Sequence, residues 1–115
     1  MNIEELHSYC LSLKGAEETF PFDDTTLVMK VGGKMFALIP LDAVETSISL
    51  KCDPEKALQL RDEFPCVRPG YHLSKKHWNT VYMDGAISEE LLKQWIVDSY
   101  ELVIAGLPKK QRAEL

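Results

Sequence analysis

Thr25-Thr26-Leu27-Val28-Met29-Lys30-Val31-Gly32-Gly33-Lys34-Met35-Phe36-Ala37-Leu38-Ile39-Pro40 reads as two strands joined by a two-residue turn. Both arms are dominated by large apolar side chains, and Gly32-Gly33 supplies the positive φ angles that tight hairpin turns require. A two-residue loop also sets the register. It predicts Val31 opposite Lys34, Met29 opposite Phe36 and Leu27 opposite Leu38, all on one buried face. Val28, Lys30, Met35 and Ala37 then make up a mixed second face.

Working outward, Leu41 to Glu45 is a loop, and Thr46 to Cys52 alternates again. Ile48, Leu50 and Cys52 point one way and Ser47, Ser49 and Lys51 the other, which predicts a three-stranded antiparallel meander with one apolar and one half-polar face. Asp53-Pro54-Glu55 opens a helix with a capping acid, a proline at its first position and a first-turn glutamate. Its inner stripe is Ala57, Leu60, Arg61 and Phe64, with the Arg61 head expected in solvent, and Pro65 ends it. Beyond Pro69-Gly70 the pattern predicts a short strand at Tyr71-His72-Leu73, a tight connection from Ser74 to His77, and a strand over Asn79 to Met83. Ser88 caps a third helix whose buried stripe includes Leu92, Trp95, Ile96, Ser99, Leu102 and Val103. Upstream, Asn2 caps a first helix carrying Ile3, Leu6, Cys10 and Leu13. Ala16 to Asp24 is a connection expected to set Phe20 and Phe22 against the core. The order is α-β-β-β-α-β-β-α: an α+β two-layer sandwich, helices on an antiparallel sheet. Residues 1–115 form one domain, with 107–115 as a basic tail.

The net charge of −5 over 115 residues counts against nucleic acid, but its distribution does not. Residues 67–83 carry three bases and no acid, residues 25–52 three bases and two acids, and residues 107–115 three bases and one acid. The acids concentrate in the segments read as helices. An electropositive sheet surface on an acidic molecule is one consequence; solubilising acids on wet helix faces is the other. No apolar run is long enough for a membrane helix. The acidic start Met1-Asn2-Ile3-Glu4-Glu5 is no signal peptide, and three widely spaced cysteines (Cys10, Cys52, Cys66) argue for structural thiols in the reducing cytoplasm.

Gly70 to Val81 concentrates the chemistry-bearing side chains. His72, His77 and Cys66 fit no zinc spacing, and Lys75 and Lys76 between the histidines would repel a cation. No Ser or Cys sits in a nucleophile–base context, and Gly32-Gly33 is a hairpin, not a phosphate loop. The reading is therefore non-enzymatic, with no metal and no cofactor. A basic and aromatic contact surface remains. Lys30, Lys34, Lys51, Arg68, Lys75 and Lys76 would meet phosphates, and Tyr71, His72, His77 and Trp78 would stack or hydrogen-bond. Trp78 and Tyr71 also read as core residues, the histidines as strand-end hydrogen-bonders. The rival is a protein-interaction or self-association module using the half-apolar sheet face (Val28, Met35, Ala37) or the third helix, which the acidic pI of about 5.1 favours.

Gly70-Tyr71-His72-Leu73-Ser74-Lys75-Lys76-His77-Trp78-Asn79-Thr80-Val81 closely resembles the signature of the YjbR/MmcQ family of small bacterial proteins. Phe20-Pro21-Phe22, Lys30 to Phe36, Leu50 to Pro54, Ser99 to Val103 and Leu107-Pro108-Lys109 resemble further family segments. Ser74 departs from the asparagine usual there; a serine can still bond in a turn. The resemblance implies a CyaY-like or secretion-chaperone-like α+β fold. It also implies a DNA-binding role through a "double-wing" pair of β-hairpin regions; with about five or six lysines and arginines on one face, such binding is expected to be weak, non-specific and salt-dependent.

Overall fold

The computed structural model describes residues 1–70 and 73–115. Asn2 and Glu5 form a reciprocal capping box that starts α1 (Ile3–Ser12). A short strand β1 (Glu17–Thr19) leads into the hairpin β2 (Thr26–Val31) and β3 (Lys34–Pro40), followed by β4 (Ser47–Lys51). Asp53 accepts the Lys56 amide to cap α2 (Pro54–Glu63). Strands β5 (Val67–Pro69) and β6 (Trp78–Tyr82) complete the sheet, and Ser88 caps the long helix α3 (Glu89–Ala105), ahead of α4 (Lys109–Ala113). The six strands run in the order β1-β2-β3-β4-β6-β5, every neighbour antiparallel. The α+β order expected from sequence is present, with β1 and α4 added.

The main core lies between the sheet and the helices. Leu6 and Cys10 from α1, Leu60 from α2 and Leu92, Trp95, Ile96 and Val103 from α3 close on Leu27, Phe36, Ile39, Ile48, Leu50, Val67 and Val81. Burial of this apolar set is the dominant stabilising term. The opposite face carries no helix. Its centre is a second, smaller cluster of Val28, Leu38 and Trp78, with Met35 and Leu73 packed on it.

Several expectations are corrected. The hairpin turn fixes only the first pairs, Val31 with Lys34 and Lys30 with Met35. A bulge between Met29 and Lys30 then admits Phe36 as an extra residue, so Met29 meets Ala37, Val28 meets Leu38 and Leu27 meets Ile39. The bulge lets both Phe36 and Ile39 reach the core, moves Ala37 into it, and turns Leu38 to the other face. Phe20 and Phe22 are exposed rather than core, because β1 takes up the edge and carries the chain away from the helices. The strand paired with β6 is Val67–Pro69; of the strand expected at Tyr71-His72-Leu73, Leu73 lies in a bend, and Tyr71 and His72 lie outside the described residues. Pro69 caps this strand at an edge, where its missing amide costs no ladder bond.

The Arg61 head is not in solvent. Its Nε donates to Asn79 Oδ1 at 2.6 Å, and its Nη2 to the carbonyls of Lys75 and, at 3.4 Å, Trp78. Asn79 returns the tie by donating to the Ala57 carbonyl at 3.2 Å. A helix side chain thus holds the turn that enters β6.

Candidate nucleic-acid interface

The register places the two turns singled out from sequence at the same end of the sheet. Strand β2 ends and β3 begins there, at Gly32-Gly33; β4 ends there at Lys51, and β6 begins there at Trp78, directly opposite Lys51. The Cys52 amide donates to the His77 carbonyl at 2.7 Å, which ties the 74–77 turn to the end of β4. That turn closes on itself, with the His77 and Trp78 amides both donating to the Ser74 carbonyl. The hairpin turn and the 74–77 turn therefore stand on either side of Lys51.

The basic residues distribute accordingly. Lys75, Lys76 and His77 are exposed on the turn, and Lys51 is half-buried beside it. Lys30 pairs with Met35 on the helix-free face at the same end. Lys34 is exposed at the hairpin tip but shares the side of Val31, toward the helices. Arg68 lies further along the helix-free face, opposite Thr80, with its guanidinium 5.1 Å over the Tyr82 ring. The exit from α3 reaches this end too, since a methyl group added at Gly32 would stand 2.5 Å from Leu107. Lys109, Lys110 and Arg112 follow from there on α4. Acids at this end include Glu17, opposite Lys30, Asp53, engaged as the α2 cap, and Asp98, close enough to help raise the Cys52 thiol.

The opposite end is acidic. The Leu41 amide donates to Thr25 and the Met83 amide to Thr46, which gathers the segments bearing Asp23, Asp42, Glu45 and Asp84. Asp23 accepts the amides of Thr25 and Thr26 at 3.0 and 2.7 Å, and these bonds hold its carboxyl below the usual range. The sheet thus has a lysine end and a carboxylate end, a division that overall charge hides.

Trp78 is only 8 % exposed, packed with Val28 and Leu38, so its ring braces the turn rather than offering a free stacking face. Val28 and Ala37 are fully buried, which removes two of the three residues of the expected self-association face. Cys66 is 3 % exposed and His77 exposed, and among the described residues no three His, Cys, Asp or Glu side chains gather. Sequence reasoning missed Arg61 and Asn79 as the clamp on the turn, because an arginine on an apolar stripe gives no sign of its partner. It also missed a groove on the helix-free face, floored by Ser47, Ser49 and Thr80. The alternation of Ser47 and Ser49 was the available signal.

Comparison with known proteins agrees with this architecture. The YjbR family model matches residues 11–102. YbdF of Escherichia coli O157:H7 is 40% identical over 116 aligned residues, covering 97% of this chain and 95% of the relative. YjbR of Escherichia coli K12 is 36% identical over 112, with the same coverage of 97% and 95%. A Deinococcus radiodurans crystal structure described as a DUF419 domain superposes with a TM-score of 0.91 at 44% identity, covering 98% of this chain and 86% of that one. A Pseudomonas syringae protein structure gives 0.76 at 26% identity, covering 89% and 98%. With both its sequence and its six-stranded architecture shared in this way, the chain belongs to the YjbR family.

Proposed function

We propose that this chain is a non-enzymatic binding domain that engages nucleic acid through the lysine end of its sheet. One observation carries the reading: the Gly32-Gly33 turn and the 74–77 turn flank Lys51 at the same end, so Lys30, Lys51, Lys75 and Lys76 can approach one phosphate-bearing surface, with Lys34 beside them at the hairpin tip. Two projecting turns with lysines between them form the double-wing arrangement. Stacking comes from the turn's exposed His77 rather than from Trp78. Contacts go to the backbone, so binding is weak and sequence-tolerant. Three free cysteines fit a reducing, cytoplasmic setting.

Fluorescence anisotropy with labelled duplex and single-stranded DNA tests this. With ~5 cations engaged, affinity should fall about 10²- to 10³-fold between ~50 and ~200 mM salt. Lys75→Glu with Lys76→Glu should weaken binding by an order of magnitude or more at low salt. Absence of binding at low salt, or indifference to the double charge reversal, would refute the reading.

A further inference from the structure

The helix-free face carries a groove at its carboxylate end, away from the lysines. It encloses about 620 Å³, within the range of small-molecule sites, roughly 300–1,000 Å³. Three sets of residues give it a definite chemistry. Phe22, Leu38 and Leu73 supply apolar walls, and Phe22 is 63 % exposed, an uncovered ring waiting for contact. Ser47, Ser49 and Thr80 form the floor. The Ser49 and Thr80 hydroxyls bond each other at 2.8 Å, whereas Ser47, 5 % exposed, makes no side-chain hydrogen bond to any described residue. Its Oγ opens onto the groove floor and is available to bond a ligand atom.

Charge then selects the ligand. Among the described residues that line the groove, the ionisable acids are Asp23 and Glu45, and there is no lysine or arginine. Asp23 is fixed in place by the Thr25 and Thr26 amides, so its carboxylate is preorganised at the rim. Arg68 reaches the lining through Tyr82, whose ring its guanidinium covers. Tyr82 therefore closes the groove on the side toward β5.

We propose that this groove binds a small amphipathic organic cation. Its apolar body lies against Phe22, Leu38 and Leu73, its ammonium or guanidinium head meets Asp23 and Glu45, and a hydrogen-bonding atom reaches Ser47. The site is independent of the nucleic-acid reading, since it uses the other end of the sheet and the opposite charge.

The test is an amide-resolved NMR titration of the full chain with phenylbutylammonium, phenylbutanol and phenylpentanoate, which share one phenylbutyl body. The ammonium should shift the amides of Ser47, Ser49 and Leu73 and bind about five- to tenfold more tightly than the alcohol, with the carboxylate weakest. Asp23→Asn with Glu45→Gln should erase that ranking while leaving the apolar contribution; the asparagine keeps an acceptor for Thr25 and Thr26, and unfolding curves check that it does. Ala43→Trp, an exposed loop position on the groove lining, should block all three compounds without touching the sheet. The proposal is overturned if the carboxylate binds as well as the ammonium, if the ranking survives the double substitution, if Ala43→Trp leaves binding intact, or if no compound shifts these amides at millimolar concentration.

Discussion

Ser99 is fully buried on α3, and its hydroxyl replaces a missing stretch of sheet. Strands β3 and β4 pair only at Ala37 with Leu50 and Leu38 with Ser49, because the bulge leaves Phe36 out of step. Ser99 Oγ donates to the Phe36 carbonyl at 2.6 Å and accepts from the Lys51 amide at 2.9 Å, satisfying two backbone groups at the gap. Ser99→Ala should cost about 1–3 kcal/mol in urea unfolding, since both groups lose their partner in a closed site. Cys10 gives a second test. Burial pushes its thiol from 9.0 up to about 12, so the folded state keeps a proton that the unfolded state releases. The sign follows: this contribution is fully present below 9.0 and is lost as pH rises toward about 12. Stability should therefore decline with pH above 9.0, less steeply in Cys10→Ala. At neutral pH a maleimide should label Cys52, which is half-buried, before the buried Cys10 and Cys66.

At the scale of elements, two joints define the lysine end. Gly32 and Gly33 have φ of +59° and +79°, and only Gly32 is also crowded, with Leu107 at 2.5 Å from an added methyl group. Gly33→Ala should cost about 1–2 kcal/mol for the left-handed backbone alone, and Gly32→Ala more than that; thermal unfolding separates them. The second joint is Arg61. Arg61→Met should destabilise by about 1.5–3 kcal/mol and speed hydrogen exchange at the His77 and Trp78 amides. Arg61→Lys should not restore it, because one ammonium cannot span the Asn79 side chain and the Lys75 carbonyl as a fork does. Hairpin, caps and the α3 stripe were legible in the chain because each is a local rule. The bulge at Met29 was not, because it answers to how Phe36 and Tyr100 pack, edge to face at 5.5 Å.

For the whole molecule, the question is whether the helix-free face belongs to the cooperative fold. Trp78 joins β6, the 74–77 turn and the second cluster, so Trp78→Ala should cost about 3–5 kcal/mol, as in a main core. A loss below ~1 kcal/mol in chemical denaturation would mean that this cluster is an ornament on a one-sided sandwich. By itself the sequence determined the fold class, the element order, the capped helices and the chemical richness of Gly70 to Val81, because those follow from periodicity, turn chemistry and composition. Only the tertiary structure decided the rest. Strand order brings β4 beside β6 and so assembles Lys51 with Lys75 and Lys76; it sends the carboxylates to the other end; and it turns the Arg61 head back onto a turn fourteen residues away in sequence. Those pairings depend on contacts between segments remote along the chain, which residue spacing does not encode.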